Sequence, residues 1–278
     1  MTVTTSSLAG TSTSGVPARH ARSWLLVSGL ALDEATRAHD AGVDALVIDI
    51  EDAVPGPEKG RARDATVEWF ARRSAWVRIN DTASGHWADD LAALRDSPGL
   101  LGVMLAKVES AAQVAGTAAA LGEGTRIVAL IESARGIQSV FEIAEHPATF
   151  RLAFGTGDFR RDTGIADDPL ALAYARSQLV IASAAAGIPG PIDGPALDDD
   201  RLVEAALHAR SMGMSGKLSL RLGQVGAIND ALSPSPDEVE WARDLLARPA
   251  DGSFDGSYLP ALARARALLK LATAFGID

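Results

Sequence analysis

The stretch Asp44–Val54, DALVIDIEDAV, joins an apolar run to a run of acid. Ala45-Leu46-Val47-Ile48 reads as a buried strand, since a short continuous apolar run suits a parallel strand covered on both faces. Asp49, Glu51 and Asp52 follow at once. A solvated loop could hold three carboxylates, and a metal site would use them. The neighbouring segments bear on that choice.

Similar apolar runs recur at Trp24–Val27, Ala75–Ile79, Leu101–Leu105, Ile127–Ile131 and Arg151–Phe154, with weaker ones at Gly190–Ile192 and Gly216–Leu220. Between them lie long, Ala-rich, amphipathic segments: Pro57–Arg72, Ser110–Leu121, Ile137–Glu145, Pro169–Ala186 and Asp198–Met212. Repeated strand–helix alternation implies parallel strands joined by helical crossovers. Eight strands fit an α/β fold of the (β/α)₈ TIM-barrel type, with a doubly wound open sheet as the alternative. No GxGxxG opens a helix after the first strand, which weakens the dinucleotide-binding version of that alternative.

The ends differ in character. Residues 1–20 are rich in Ser, Thr and Gly and lack the basic start and apolar centre of a secretory signal, so a disordered tail and a cytoplasmic location are expected. Residues 21–232 form the expected barrel. Ser233-Pro234-Ser235-Pro236 marks a break, and 233–278 reads as a helical lid or extension, with helices over Asp237–Ala247 and Leu259–Phe275, packing on the barrel or on a neighbouring subunit.

Composition removes several functions. The net charge of −10 over 278 residues argues against a general nucleic-acid binder. Every apolar run is too short to span a bilayer. With no cysteine, thiolate metal sites, disulfides and cysteine nucleophiles are excluded, and the five histidines do not fall at zinc-site spacings.

In a (β/α)₈ barrel the reacting groups gather where strands end. The strand ends carry Asp49, Glu51 and Asp52, then Arg78 and Asn80, Lys107 and Glu109, Glu132, Asp158 and Asp193. Asn80, Glu109 and Asp193 are each explained by the ordinary polarity of strand-following loops. Glu132 and Asp158 fit that explanation less well, because each closely follows an apolar strand and the two strands are neighbours. Gly155 and Gly157 let backbone approach a ligand there. Two carboxylates with open positions suit Mg²⁺, which keeps waters and takes substrate oxygens. Glu51 and Asp52 would hold those waters, and Arg78 would supply positive charge where an oxyanion develops.

The stretches RSWLLVSG, DALVIDIEDAVPGPEKGRAR, VRIND, LAKVES, ALIESARGI, FGTGDFRRDTG, YARSQLVIASAAAGIPGPIDGP and ARSMGMSGK run in order from Arg22 to about Lys217. Together they make the chain resemble the HpcH/HpaI aldolase and citrate lyase β-subunit family, which includes malyl-CoA and citramalyl-CoA lyases. The resemblance implies a (β/α)₈ barrel with a C-terminal extension, assembled as trimers or hexamers. It implies metal ligands at Glu132 and Asp158, a substrate-binding arginine at Arg78, and an acidic second-strand motif at Asp49, Glu51 and Asp52 that orders water around Mg²⁺ and steadies Arg78. Lys107 and Gly157 join Arg78 as expected substrate contacts, and Glu51 or Asp52, acting through water, is the expected route for protons.

Some positions depart from that pattern. Arg221 and Leu222 stand where these lyases often have His and Pro. Pro260 falls where a C-terminal acidic lid residue is expected, with Asp255 nearby but displaced. Ser28 and Ala106 replace prolines. The expected activity is Mg²⁺-dependent carbon–carbon cleavage, or formation, of a 3-hydroxyacyl-CoA thioester, giving a 2-oxo acid and an acyl-CoA. The alternatives are a CoA-independent pyruvate aldolase and a non-catalytic, regulatory protein that keeps the metal and oxo-acid pocket.

Overall fold

The computed structural model describes residues 14–248 and 256–277. Eight parallel strands close into a barrel in sequence order. They are β1 (Ser23–Ser28), β2 (Ala45–Asp49), β3 (Ala75–Ile79), β4 (Leu100–Leu105), β5 (Ile127–Ile131), β6 (Thr149–Phe154), β7 (Ile192–Asp193) and β8 (Gly216–Ser219). Pairing of β1 with β8, Ser23 opposite Lys217 and Trp24 opposite Leu218, closes the ring and excludes the open-sheet alternative. The helices between strands are α1 (Leu32–Asp40), α2 (Lys59–Trp69), α3 (Trp87–Leu94), α4 (Ala111–Leu121), α5 (Ala134–Gln138), α6 (Val140–Glu145), α7 (Thr156–Thr163), α8 (Ala173–Ala185) and α9 (Leu202–Ser211), with α10 (Val225–Leu232) after β8.

Alternation along each strand builds two apolar layers. Trp24, Leu26, Val47, Trp76, Met104, Val128, Leu130, Ala153, Ile192 and Leu218 fill the barrel. Leu25, Val27, Leu46, Ile48, Val77, Val103, Ile127, Ile131 and Phe154 face the helices. Burying each such large side chain contributes roughly 1.5–3 kcal/mol. The rings of Trp24 and Trp76 meet at 5.1 Å. Near them, Arg151 donates to the carbonyls of Gly190 and Ala21 and to Ser215 Oγ, groups that precede β7, β1 and β8. The same two-residue period carries β2, β3 and β5 out of the apolar layer with Asp49, Arg78 and Glu132 aimed inward at the mouth.

The expected tail is partly folded. Residues 1–13 lie outside the described residues, but Ala18–His20 forms a 3₁₀ turn and Ala18 is buried. Ser14 Oγ donates to Asp44. The apolar Val16, Ala18 and Ala21 give this short segment a face to bury.

Contacts divide the chain into two compact units, Met1–Ala231 and Leu232–Asp278. In the second, α11 (Pro236–Ala247) and α12 (Tyr258–Phe275) pack Ala242 and Leu245 against Ala265. Ser235 caps α11 reciprocally with Glu238, and Pro236 occupies its first turn. Pro260 sits in the first turn of α12, where its missing N–H breaks no intrahelical bond. Asp255 lies outside the described residues.

Candidate active site

Asp49 and Arg78 are register partners on β2 and β3. Asp49 Oδ1 accepts from Arg78 Nε at 2.9 Å and from the Glu51 amide at 2.9 Å. Its Oδ2 accepts from Arg78 Nη2 and the Ala53 amide. Four donors saturate the carboxylate, so Asp49 acts as a clamp on Arg78. Burial works against the guanidinium charge, but the Asp49 hydrogen bond and the charges of Asp49, Glu51 and Glu132 outweigh it and raise its pKa.

Glu51 lies beside this clamp, with Oε2 3.4 Å from Arg78 Nη1 and Oε1 2.7 Å from Lys107 Nζ. Its backbone turn is fixed from outside. Lys59 Nζ donates to the Ile50 and Glu51 carbonyls, Ser28 Oγ to the Ala53 carbonyl, and Asn80 Nδ2 to the Ile50 carbonyl and to Asp90. Ser28 thus gives the acidic turn a hydrogen bond that a proline there could not. Desolvation pushes the Glu51 carboxyl up despite the opposing pull of Arg78 and Lys107. Asp52 points outward, with its side chain 59 % exposed and only a 3.9 Å approach to Lys107 Nζ.

Lys107 joins the acidic turn to β5. Among the described residues it alone has positive φ without being glycine, at 52°. In that conformation its amide donates to Glu132 Oε1 at 2.8 Å while its ammonium reaches Glu51. Burial opposes the Lys107 charge, and the carboxylates of Glu51, Asp52 and Glu132 more than offset that, raising its pKa.

Glu132 is 7 % exposed at the end of β5. Burial first, and the Asp158 and Glu51 charges after it, push its carboxyl up to about 8 against the Lys107 amide and Arg78. Asp158 belongs to the first turn of α7. Its Oδ2 is buried without an aligned hydrogen bond, although Arg161 Nη2 lies 3.0 Å away. A Cβ on Gly155 would stand 2.3 Å from Glu132 Oε2, so Gly155 is there for Glu132. A Cβ on Gly157 would meet nothing within 4 Å; that glycine lines a cavity on the barrel flank.

The buried Glu132 and the half-buried Asp158 carboxylates repel one another, and such a pair fits a hard cation. Among the described residues no three His, Cys, Asp or Glu side chains converge as a full ligand cage. Magnesium suits two protein oxygens because it retains several waters.

Two other strand-end acids are structural. Glu109 accepts from Ser133 Oγ, which also caps α5. Asp193 is no solvated loop residue: it is fully buried, held by Arg176 and Lys217. Lys59 and Asp90, which brace the site, went unread in the sequence; a lysine and an aspartate on outer helices carry no local signal of whom they reach.

The profile of the HpcH/HpaI aldolase/citrate lyase family matches residues 22–221, and that of the HpcH/HpaI aldolase C-terminal domain matches 237–276. The chain belongs to this family. A citrate lyase subunit beta-like protein of Deinococcus radiodurans is 33 % identical over 274 residues, 89 % of this chain and 96 % of that protein. A (3S)-malyl-CoA thioesterase of Cereibacter sphaeroides is 31 % identical over 81 % of this chain and 82 % of its own. The CitE protein of Mycobacterium tuberculosis, solved with magnesium, acetoacetate and coenzyme A, superposes with a TM-score of 0.73 at 28 % identity, covering 92 % of this chain and 99 % of that one.

Within the HpcH/HpaI family frame, the unusual Arg221 has a clear local role. Its Nη2 donates to Asp199 and to the Leu197 carbonyl, and Gln224 donates to the same Asp199. Arg221 therefore ties the loop after β8 to the loop after β7. No helix among the described residues is long and apolar enough to cross a membrane.

Proposed function

We propose that this chain is a Mg²⁺-dependent carbon–carbon lyase that cleaves or forms a 3-hydroxyacyl-CoA thioester, with a 2-oxo acid and an acyl-CoA as the other partners. The observation that carries the reading is the meeting of Glu132 and Asp158 with the clamped Arg78 at one mouth. Family membership and the magnesium and coenzyme A bound by the related CitE protein support it.

Glu132 and Asp158 would hold the metal, which when bound supplies Lewis-acid polarisation of the oxo-acid oxygens. Arg78, fixed by Asp49, presents a planar fork to an oxygen that gains negative charge. In the cleavage direction the substrate hydroxyl loses its proton and its oxygen becomes the carbonyl of the oxo acid. The broken carbon–carbon pair becomes a thioester enolate, which then takes a proton. Glu51, buried and raised, is the better placed carboxylate to accept the hydroxyl proton through water. Asp52, exposed to solvent, is the poorer choice. Lys107 lines the approach for substrate.

Large apolar side chains stand exposed on and just before α8, at Leu170, Tyr174 and Ile181, and on α9 at Val203 and Leu207. They support assembly as a homo-oligomer, and the trimer or hexamer remains what the family resemblance implies.

The test is product analysis with hydroxyacyl-CoA thioesters and free hydroxy-oxo acids, with and without Mg²⁺. Release of oxo acid and acyl-CoA only with Mg²⁺ is expected. Free hydroxy acid without oxo acid would instead mark thioester hydrolysis, the activity named for the Cereibacter relative. Turnover of the free acids alone would make it an aldolase, and no turnover would leave a binding protein.

A further inference from the structure

A cavity of about 260 Å³ lies on the barrel flank, walled by α7, α8, α9, the loop after β7 and Lys217 of β8. None of Asp49, Glu51, Arg78, Lys107, Glu132 or Asp158 lines it. Leu218 points into the barrel, so Lys217 beside it points outward, into the helix layer.

The inner wall carries one more positive charge than negative. Lys217 Nζ donates to Asp193 Oδ2 and the Gly194 carbonyl, each at 2.8 Å. An ammonium has three hydrogens, so one remains. Arg176 meets the same Asp193 through Nε and Nη2. Asp193 is thereby kept ionised, and two cations share one anion. Arg160 is balanced by Asp167 at 3.1 Å. Asp198, Arg201 and Glu204 also line the cavity but are solvent-exposed, where water screens them.

Two lining residues also carry a buried nitrogen without a hydrogen-bond partner, Arg160 Nε and His208 Nε2. Buried polar atoms are ordinarily satisfied, so an orphaned pair bordering one cavity points to an occupant. The remaining wall is apolar, with Leu172, Pro169, Pro195 and Ala205. A volume of about 260 Å³ and a single surplus charge on the inner wall favour a small monoanion over a phosphate ester.

We propose that this flank cavity binds a small organic monocarboxylate, its carboxylate toward Arg160, His208 and Lys217 and its short aliphatic body against Leu172 and Ala205. The proposal does not depend on the lyase reading.

Calorimetry with butyrate and its neutral isostere butyramide, in EDTA, tests it on the full chain. Saturable butyrate binding is expected, with butyramide at least tenfold weaker. Ala205→Trp, which fills the cavity, and Arg160→Met should each weaken butyrate at least tenfold while the circular dichroism stays native. Arg78→Gln, which removes the carboxylate-binding group of the mouth, should leave it unchanged. Absence of saturation, equal binding of butyramide, or loss in Arg78→Gln with retention in Arg160→Met would overturn the assignment. Should Ala205→Trp fail to fold, the Arg160→Met and Arg78→Gln comparison decides alone.

Discussion

Gly155 and Glu132 occupy one space: a Cβ at 155 would come within 2.3 Å of Glu132 Oε2 and 2.6 Å of Glu132 Cβ. The absent side chain is what lets the Glu132 carboxylate lie where it does. Gly155→Ala should therefore keep the barrel but displace Glu132. Magnesium affinity measured by calorimetry should fall by roughly ten- to a hundredfold, the usual effect of disturbing a ligand's support. Unchanged affinity would separate Gly155 from the site.

Arg78 is held by two parallel bonds to Asp49. An ammonium cannot reproduce that fork, so Arg78→Lys should lower kcat by about 10²–10³ with little change in melting temperature. A near-normal rate would remove Arg78 from the reaction.

Lys107 joins strain and charge in one residue, and two substitutions separate them. Lys107→Gly and Lys107→Ala both delete the ammonium that meets Glu51. Only glycine accepts φ 52° freely. Lys107→Gly should be more stable than Lys107→Ala by about 1 kcal/mol in urea unfolding. Equal stabilities would mean that the left-handed conformation relaxes at no cost.

The Glu132 carboxyl, raised to about 8, would give the proposed metal binding a pH dependence. Below that value it carries a proton that Mg²⁺ must displace. Affinity should therefore climb between pH 6 and 8, by up to about tenfold per unit, and level off above. The metal-free fold responds oppositely. A carboxyl raised from 4.5 contributes stability that is complete below its unfolded value and lost as pH rises through about 8. In Glu132→Gln both trends should disappear. A flat affinity between pH 6 and 8 in the native chain would contradict the raised carboxyl.

The strands were legible where both faces are covered by apolar neighbours. Ile127–Ile131 is five residues of unbroken apolar sequence and forms β5 over the same five residues. The seventh strand is legible only as a weak signal because just Ile192 and Asp193 pair. Ile137–Glu145 reads as one helix, yet the chain forms α5 and α6 about Ser139. Helices α1, α3, α7 and α10 escaped the sequence reading. α1 has Ala31 before its first turn, without a capping side chain, and α7 contains a glycine. At the site, Glu132 is visible because it ends an apolar run. The left-handed Lys107, the bracing Lys59 and the buried setting of Asp193 depend on residues far along the chain, which no local pattern records.

A free arginine side chain gives up about 2 kcal/mol of rotamer freedom when it is fixed. Here Arg78 loses that freedom when the barrel folds, since Asp49 holds it whether or not a ligand is present. A ligand bound by Arg78, as proposed, would meet a cation already at rest, and the ordering of that side chain would subtract nothing from its affinity.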